Sequence, residues 1–369
     1  MMTSYLYLVF LAQRVGEFAF LSSSLLGILF IYLTLFGVRK IFGTYKYLMA
    51  IFTSLGVILG CLEAIFHPNL HFYNNGFVLF TLSTPFGMSK GFLETALVVY
   101  PGVYSLTIAL LAVQFIYRYW ALFRYDIYNT QRNRDAANFS LNYLEYFRGW
   151  KSSVWLLYCI VFGGVWFAGA CYFLSMDEIS ENYFKSEMLL RYNVLPGDIP
   201  MMTFLAFDPT DGSVRLDVLY TVLISSIMAI QYGIMMYCGW MMHSKMEEKI
   251  KGMSSSMKHQ HRQLFKALVF QITTPTIFLF SPLILIIYLP YFQLELSLPA
   301  GAAVTAFNIY PAMDTIIVFI VITEYQRAMK RMWTAFLLKL TWKNESGNSP
   351  PGPSTDQINM SVMRSATAN

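Results

Sequence analysis

The sequence predicts an all-α membrane protein: a seven-transmembrane helix bundle with a cytoplasmic amphipathic helix after the seventh span. Three observations carry this. Seven apolar stretches run at 16–37, 47–66, 93–117, 153–174, 218–242, 267–289 and 300–322. Each holds about 20 residues or more, which a hydrocarbon core ~30 Å thick requires of a helix. Apolar residues make up 56% of the chain and charged residues 13%, against about 25% charged in soluble domains. Basic residues also alternate in side: with the N-terminus outside, 21 of the 26 Lys and Arg fall in the inner segments and tail. Only Arg14, Lys90, Lys185, Arg191 and Arg215 remain outside. Retained basic residues set topology, so this asymmetry predicts an extracellular N-terminus and a cytoplasmic C-terminus. The net charge of +5 then sums a basic inner face and a more acidic outer one. It gives no sign of a nucleic-acid partner.

Each stretch must be helical, because backbone polar groups cannot go unpaired in lipid. The N-terminus lacks a basic n-region and merges into span one, which then serves as its own targeting signal. Span two carries Gly56 and Gly60, a GxxxG spacing that lets helices approach closely within a bundle. The loop at 67–92 holds a short apolar run, Phe77 to Leu82, between Asn75–Gly76 and Pro85–Gly87. It is too short to span and reads as a strand-like or packed outer loop. Span three ends at Arg118, flanked by Tyr117 and Tyr119. In the second inner loop Phe139, Tyr143, Leu144, Phe147 and Trp150 recur at helical spacing, which reads as a helix lying in the interface.

The outer loop at 175–217 carries an excess of acids, among them Asp177, Glu187, Asp208 and Asp217. It is either a solvated loop or an electrostatic lid over a ligand site. Span six carries Pro275 and Pro282 above a basic end of Lys258, Arg262 and Lys266. Span seven carries Pro311 and Asp314, the one aspartate inside a predicted span. Tyr325, Met329, Trp333, Phe336 and Leu340 then form one face of a further helix at about 324–340, with Arg327, Lys330, Arg331 and Lys339 off that face. Such a helix lies against membrane lipid with its basic residues near the headgroups. Residues 1–342 thus form one membrane domain, and 343–369 reads as a disordered tail, rich in Pro, Ser and Asn. Sequons at Asn138 and Asn344 lie on the predicted cytoplasmic side and are expected to stay unmodified.

No catalytic constellation appears: no HExxH, GxSxG, P-loop or GxGxxG. Cys61, Cys159, Cys171 and Cys238 all fall in predicted spans without metal-ligand spacing. Neither an enzyme nor a cofactor or metal protein is expected. A ligand site is placed by arithmetic. Tyr100 precedes Arg118 by 18 residues, about 27 Å at ~1.5 Å per residue. Tyr104 lies one turn deeper on the same face. Their counterparts are Tyr220 and Ser225 of span five, Phe278 and Ser281 of span six, and Thr305 and Asn308 of span seven. Each of these, taken singly, also reads as ordinary helix packing. A pocket of this composition suits a small, neutral, weakly polar ligand. No intramembrane acid is expected at the Tyr100 level, Glu94 being close to the outer end, which argues against an amine held by a carboxylate.

Arg118 reads either as a signalling contact or as a basic anchor reaching the headgroups. Asp314 reads as a polar hinge beside the Pro311 kink or as a structural hydrogen-bond anchor. Pro275 bends span six above its basic end, which suits an outward swing, or kinks it statically.

Several strings sit at the ends of these spans. They are Gly-Thr-Tyr-Lys-Tyr-Leu-Met-Ala at 43–50, Phe-Ile-Tyr-Arg-Tyr at 115–119 and Tyr-Cys-Gly at 237–239. Gln-Leu-Phe-Lys-Ala-Leu-Val-Phe-Gln-Ile-Thr-Thr-Pro-Thr-Ile runs at 263–277 and Tyr-Pro-Ala-Met-Asp at 310–314. In this order the chain, from about 14 to 340, resembles the nematode serpentine chemoreceptors of the Str type (class r). The resemblance implies a G-protein-coupled receptor for an odorant or other small chemical, in the ciliary membrane of sensory neurons, working through a heterotrimeric G protein. Arg118, Lys258, Arg262 and Lys266 would then meet the G protein, and the helix after span seven would be its "helix eight". Tyr117 stands where rhodopsin-like receptors carry an acid before the matching arginine, so their ionic lock cannot form here. Their disulfide from span three to the outer loop cannot be drawn either. Thr315 stands where the family often has proline, and the second inner loop is longer than usual for the type. A homo- or hetero-dimer is left open.

Two other classes compete. A seven-helix ligand-gated channel subunit would invert the topology, against the 21-to-5 basic asymmetry. A transporter would want repeated halves and paired midplane ionisable residues, which are not seen.

Overall fold

The computed structural model describes residues 4–38, 44–129, 143–250 and 255–346. Helix α1 (Leu6–Tyr32) continues through a π turn, Leu33–Gly37, and α2 (Tyr45–Phe66) returns beside it. Then come α3 (Lys90–Asn129), α4 (Ser153–Phe173), α5 (Glu178–Tyr192) and α6 (Val218–Ile250). Span six is broken into α7 (Ser255–Pro275), a π turn Thr276–Phe280, and α8 (Ser281–Tyr288). Helix α9 (Gly301–Val321) forms span seven, and α10 (Thr323–Ser346) follows. Six segments are long and apolar enough to cross a membrane, and Ile309–Val321 of α9 forms a shorter apolar helix. The chain is thus a seven-transmembrane helical bundle. Helix α1 starts ten residues before the boundary read from the sequence.

Helix α3 is the bundle's axis: its apolar window is 78% buried, while none of the other five long spans exceeds 39%. Helices apolar all round are held by close approach rather than by a hydrophobic stripe. At Gly56 of α2, an added Cβ would stand 2.8 Å from Cβ of Pro311 on α9. The GxxxG spacing therefore serves an internal contact at Gly56. Pro275 has no N–H to return to the turn before it, and the π turn begins directly after it. Thr273, Thr274 and Thr276 each donate a hydroxyl to the carbonyl four residues back, at 2.7–3.0 Å.

One end of the bundle carries a cap. Strands β1 (Asn69–Tyr73), β2 (Gly76–Phe80), β3 (Met201–Leu205) and β4 (Ser297–Pro299) form an antiparallel sheet in the order β3-β2-β1-β4. The short apolar run at 77–82 is thus mostly strand. Gly76 admits β3, since a Cβ there would lie 2.4 Å from the Phe204 carbonyl oxygen. Both sheet faces are covered. Val78, Phe80, Met201 and Leu205 pack with Phe184, Met188 and Tyr192 of α5, and Leu70, Leu79 and Met202 face the bundle.

The acidic loop is therefore folded into this cap, with Glu187 buried and Asp177, Glu178 and Asp211 exposed. Asp177 caps α5 by accepting from the Ser180 N–H at 2.9 Å, and Arg215 pairs with Asp177 at 2.7 Å. His71 of β1 pins the cap. Its Nδ1 is 3.0 Å from the Tyr192 hydroxyl and its Nε2 is 3.3 Å from Glu187. Burial pushes its pKa down to about 4, so the ring is neutral at pH 7. Arg191 and Ser297 also donate to Glu187, which joins α5 to β4.

At the opposite end, Phe147 stacks on Trp155 at 4.7 Å and meets Tyr117 edge-on at 4.9 Å. It is buried, so the described part of this segment folds onto the bundle instead of lying in the interface. Phe139 and residues 130–142 lie outside the described residues. Residues up to Tyr325 form one compact unit and those from Gln326 a second. The second unit is the continuation of α10, which runs through Ser346. Its helix extends four residues into the stretch read as tail, and residues 347–369 lie outside the described residues.

Candidate functional site

Two groups of side chains are strung along α3. Near the sheet lies an apolar cavity of about 90 Å³. Its walls include Tyr100 and Tyr104 of α3, Trp166 of α4, Tyr220 and Ile224 of α6, and Phe307 of α9. The α8 side is Leu283, Ile286 and Ile287, and the roof is the row Leu70, Leu79 and Met202. These three are direct neighbours across β1, β2 and β3, and strand residues opposite one another project to the same face. Tyr104 packs 4.9 Å from Phe307 and 6.0 Å from Trp166, ring centre to ring centre. No charged side chain lines the cavity. For scale, an engineered dry cavity of about 150 Å³ holds benzene, so this one accepts a molecule of a few heavy atoms without repacking.

An acid nevertheless stands at this level. Glu63 of α2 is buried, and its Oε2 accepts from the Tyr100 hydroxyl at 3.1 Å. The expectation of no intramembrane carboxylate near Tyr100 is therefore corrected. Glu63 falls in the last turn of span two, where the sequence reads as a span boundary. The bundle folds that turn inward against Gly16 of α1, whose Cβ position is 3.2 Å from Glu63 Oε1. Tyr100 stands on the cavity wall while Glu63 does not.

Far from the sheet, six helices contribute to a polar network. Arg118 is buried, 8% exposed, with its guanidinium 4.3 Å from the Tyr45 ring centre. The Tyr45 hydroxyl donates to Gln114 Oε1 at 3.1 Å. Gln271 of α7 donates to Asp314 Oδ1 of α9 at 3.0 Å, and Arg118 lies close enough to act electrostatically on Asp314. The Tyr325 hydroxyl meets Thr34 Oγ1 of α1 at 2.8 Å. Thr315 Oγ1 donates to the Pro311 carbonyl at 3.0 Å, so threonine has a bond to make at this position. Asp314→Asn keeps an oxygen for Gln271 and removes only the charge. It is expected to cost about 1 kcal/mol and to reach the cell surface. Loss of surface labelling would show that the charge itself is required.

The family model for the serpentine type 7TM GPCR chemoreceptor Str matches residues 12–330. The chain belongs to this family. Among its relatives is the G-protein coupled receptor str-33 of Caenorhabditis elegans, 34% identical over 329 residues, covering 88% of this chain and 91% of that one. Serpentine receptor class r-10 of Caenorhabditis elegans is 27% identical over 301 residues, or 79% and 81% of the two chains. Its Caenorhabditis briggsae namesake is 26% identical over 336 residues, or 88% and 89%.

In this Str receptor, Tyr100, Tyr104 and Tyr220 share the cavity. Ser225 faces away from it, with its Oγ 2.8 Å from the Tyr288 hydroxyl in a surface groove. Phe278 lies within the π turn and Ser281 is exposed just after it. The turn's extra residue shifts the register of span six, and Leu283, Ile286 and Ile287 line the cavity instead. Thr305 faces α1, donating to the Gly301 carbonyl at 3.2 Å, and the side chain of Asn308 is outside the described residues. Lys258, Arg262 and Lys266 follow one face of the first turns of α7, the latter two exposed. Asp314 faces span six across the Gln271 bond, Pro311 packs against Gly56 of α2, and Pro275 precedes the π turn of span six. Sequence reasoning missed Glu63, Trp166, Tyr45, Gln271 and the sheet roof. A glutamine inside an apolar span was the signal that could have found Gln271 and Gln114.

Proposed function

We propose that this Str receptor is a chemosensory, odorant-type receptor that takes a small uncharged molecule into the cavity beside Tyr104. It then activates a heterotrimeric G protein at the Arg118 end. The observation that carries the reading is the cavity itself: apolar, free of charged lining, and roofed by the sheet. Glu63 does not change the ligand class, because Tyr100 stands between it and the cavity and already occupies one of its oxygens. The 21-to-5 distribution of basic residues supports an extracellular sheet end and a cytoplasmic Arg118 end. The receptor would sit in the plasma membrane, and by family resemblance in the sensory cilium.

The test is a dose response of the full-length receptor in cells, with a G-protein readout and a panel of volatile uncharged compounds. Epitope tags at the two ends report orientation in the same cells. Tyr104→Ala removes a buried ring worth ~1.5–3 kcal/mol and is expected to weaken potency by about tenfold or more. A wild-type dose response would remove Tyr104 from the ligand site.

A further inference from the structure

The cavity has no open route through the cap. Leu70 and Met202 of its roof are buried and Leu79 is half-buried, and the other face of β2 and β3 is covered in turn by α5. A ligand arriving from water at this end would have to part α5 from the sheet, or the sheet from the bundle.

Helices α1 and α9 leave a different opening. Between them lies a crevice of about 360 Å³ in which Leu8, Leu11 and Val15 are 42%, 46% and 43% exposed. They stand on the outer part of a 32-residue apolar segment that is longer than a hydrocarbon core needs, beside the exposed pair Arg14 and Glu17, so the crevice opens at the outer rim of the bilayer. No charged side chain lines the crevice. Its polar groups are already engaged: Asn69 donates to the His67 carbonyl at 2.9 Å, and the Tyr192 hydroxyl pairs with His71 at 3.0 Å. Leu70 lines this crevice and is also part of the cavity roof. On α9 the division falls between adjacent residues, with Val304 on the cavity and Thr305 on the crevice. The groove between α6 and α8 at Ser225 shares no lining residue with the cavity.

We propose that the α1–α9 crevice is a vestibule for an uncharged lipophilic molecule dissolved in the bilayer, and that Leu70 is the gate between it and the cavity. This rests on the reading of the cavity as the ligand site. The bilayer concentrates such a molecule by ~0.8 kcal/mol for each buried methylene. Rotation of one leucine between staggered rotamers opens the partition, whereas a route from water breaks a sheet packed on both faces.

The test uses purified full-length receptor in phosphatidylcholine vesicles, photolabelled with 3,3-dimethyldiazirine, an uncharged photoprobe small enough for the cavity. Adducts are mapped by mass spectrometry against time. Adducts on Ala12 and Ile309 are expected before those on Tyr104 and Ile286. Ala302→Trp and Leu11→Trp fill the crevice from opposite walls, and each is expected to slow cavity labelling by about tenfold. Leu21→Trp, on the lipid-facing side of α1 away from the crevice, is the control and leaves labelling unchanged. Cavity labelling at the wild-type rate in both crevice variants would overturn the lateral route while keeping the cavity as a ligand site. Crevice adducts without any cavity adduct in the wild type would overturn the cavity reading and the gate with it.

Discussion

Arg118→Ala is expected to abolish G-protein activation while the receptor still reaches the cell surface. The guanidinium stands 4.3 Å from the Tyr45 ring centre, so it ties α3 to α2. A cation on an aromatic face in a desolvated site contributes ~2 kcal/mol or more. Removing it takes away one of the ties between α2 and α3, a contact that a two-state signalling element can make in one arrangement and break in the other. The fold has other ties at this level. Gln271 still donates to Asp314, Tyr45 still donates to Gln114, and Thr34 still meets Tyr325. Arg118→Lys keeps the charge but loses the planar stacking surface, and is expected to fall between the two. The measurement is G-protein activation normalised to surface label. Full signalling from Arg118→Ala would remove this residue from the mechanism.

Gly56→Leu is expected to remove folded receptor from the membrane altogether. The Cβ position at Gly56 is 2.8 and 2.9 Å from Cβ and Cγ of Pro311, atoms of a closed ring that has no rotamer to retreat to. Even alanine forces α2 and α9 apart, and overpacking of this kind costs ~1–3 kcal/mol. Leucine adds three more carbons to the same gap. The loss is read as surface expression and as the thermal midpoint of purified protein, with alanine intermediate. An unchanged midpoint for Gly56→Ala would show that α9 can shift without penalty, and that the position of Asp314 does not depend on this contact.

The spans were legible because an unbroken run of about 20 apolar residues matches the thickness of a bilayer core and little else. Their inward faces were not. A lipid-embedded helix is apolar on every side, so periodicity does not separate Tyr220, which meets the cavity, from Ser225, which turns away from it. The π turn at Thr276–Phe280 adds a register shift that no spacing rule anticipates, which moved Phe278 and Ser281 off the cavity wall. The sheet was nearly invisible for a different reason. Its strands are three to five residues long and drawn from three separate loops, and β1 to β3 are largely buried on both faces. Polar alternation, the usual mark of a strand, has no cause to appear there. Helix α5 did leave a trace: Phe184, Met188 and Tyr192 recur at four-residue spacing behind the Asp177 cap, inside a segment dominated by its acids. The strings at the span ends carry the network. Tyr45, Arg118, Gln271 and Asp314 come from four of them and converge at one place.

The roof of the cavity is made from strands, while its floor and walls are made from membrane helices. Leu70, Leu79 and Met202 come from two separate loops, yet stand side by side over one small space. A change in any of the three alters the size of that space and leaves every helix contact of the Arg118 network untouched, about 27 Å away along α3. Chemical preference and signalling output are therefore open to separate mutation. If the cavity takes the ligand as proposed, a single substitution in the roof changes what the receptor prefers and leaves the network at the far end as it was.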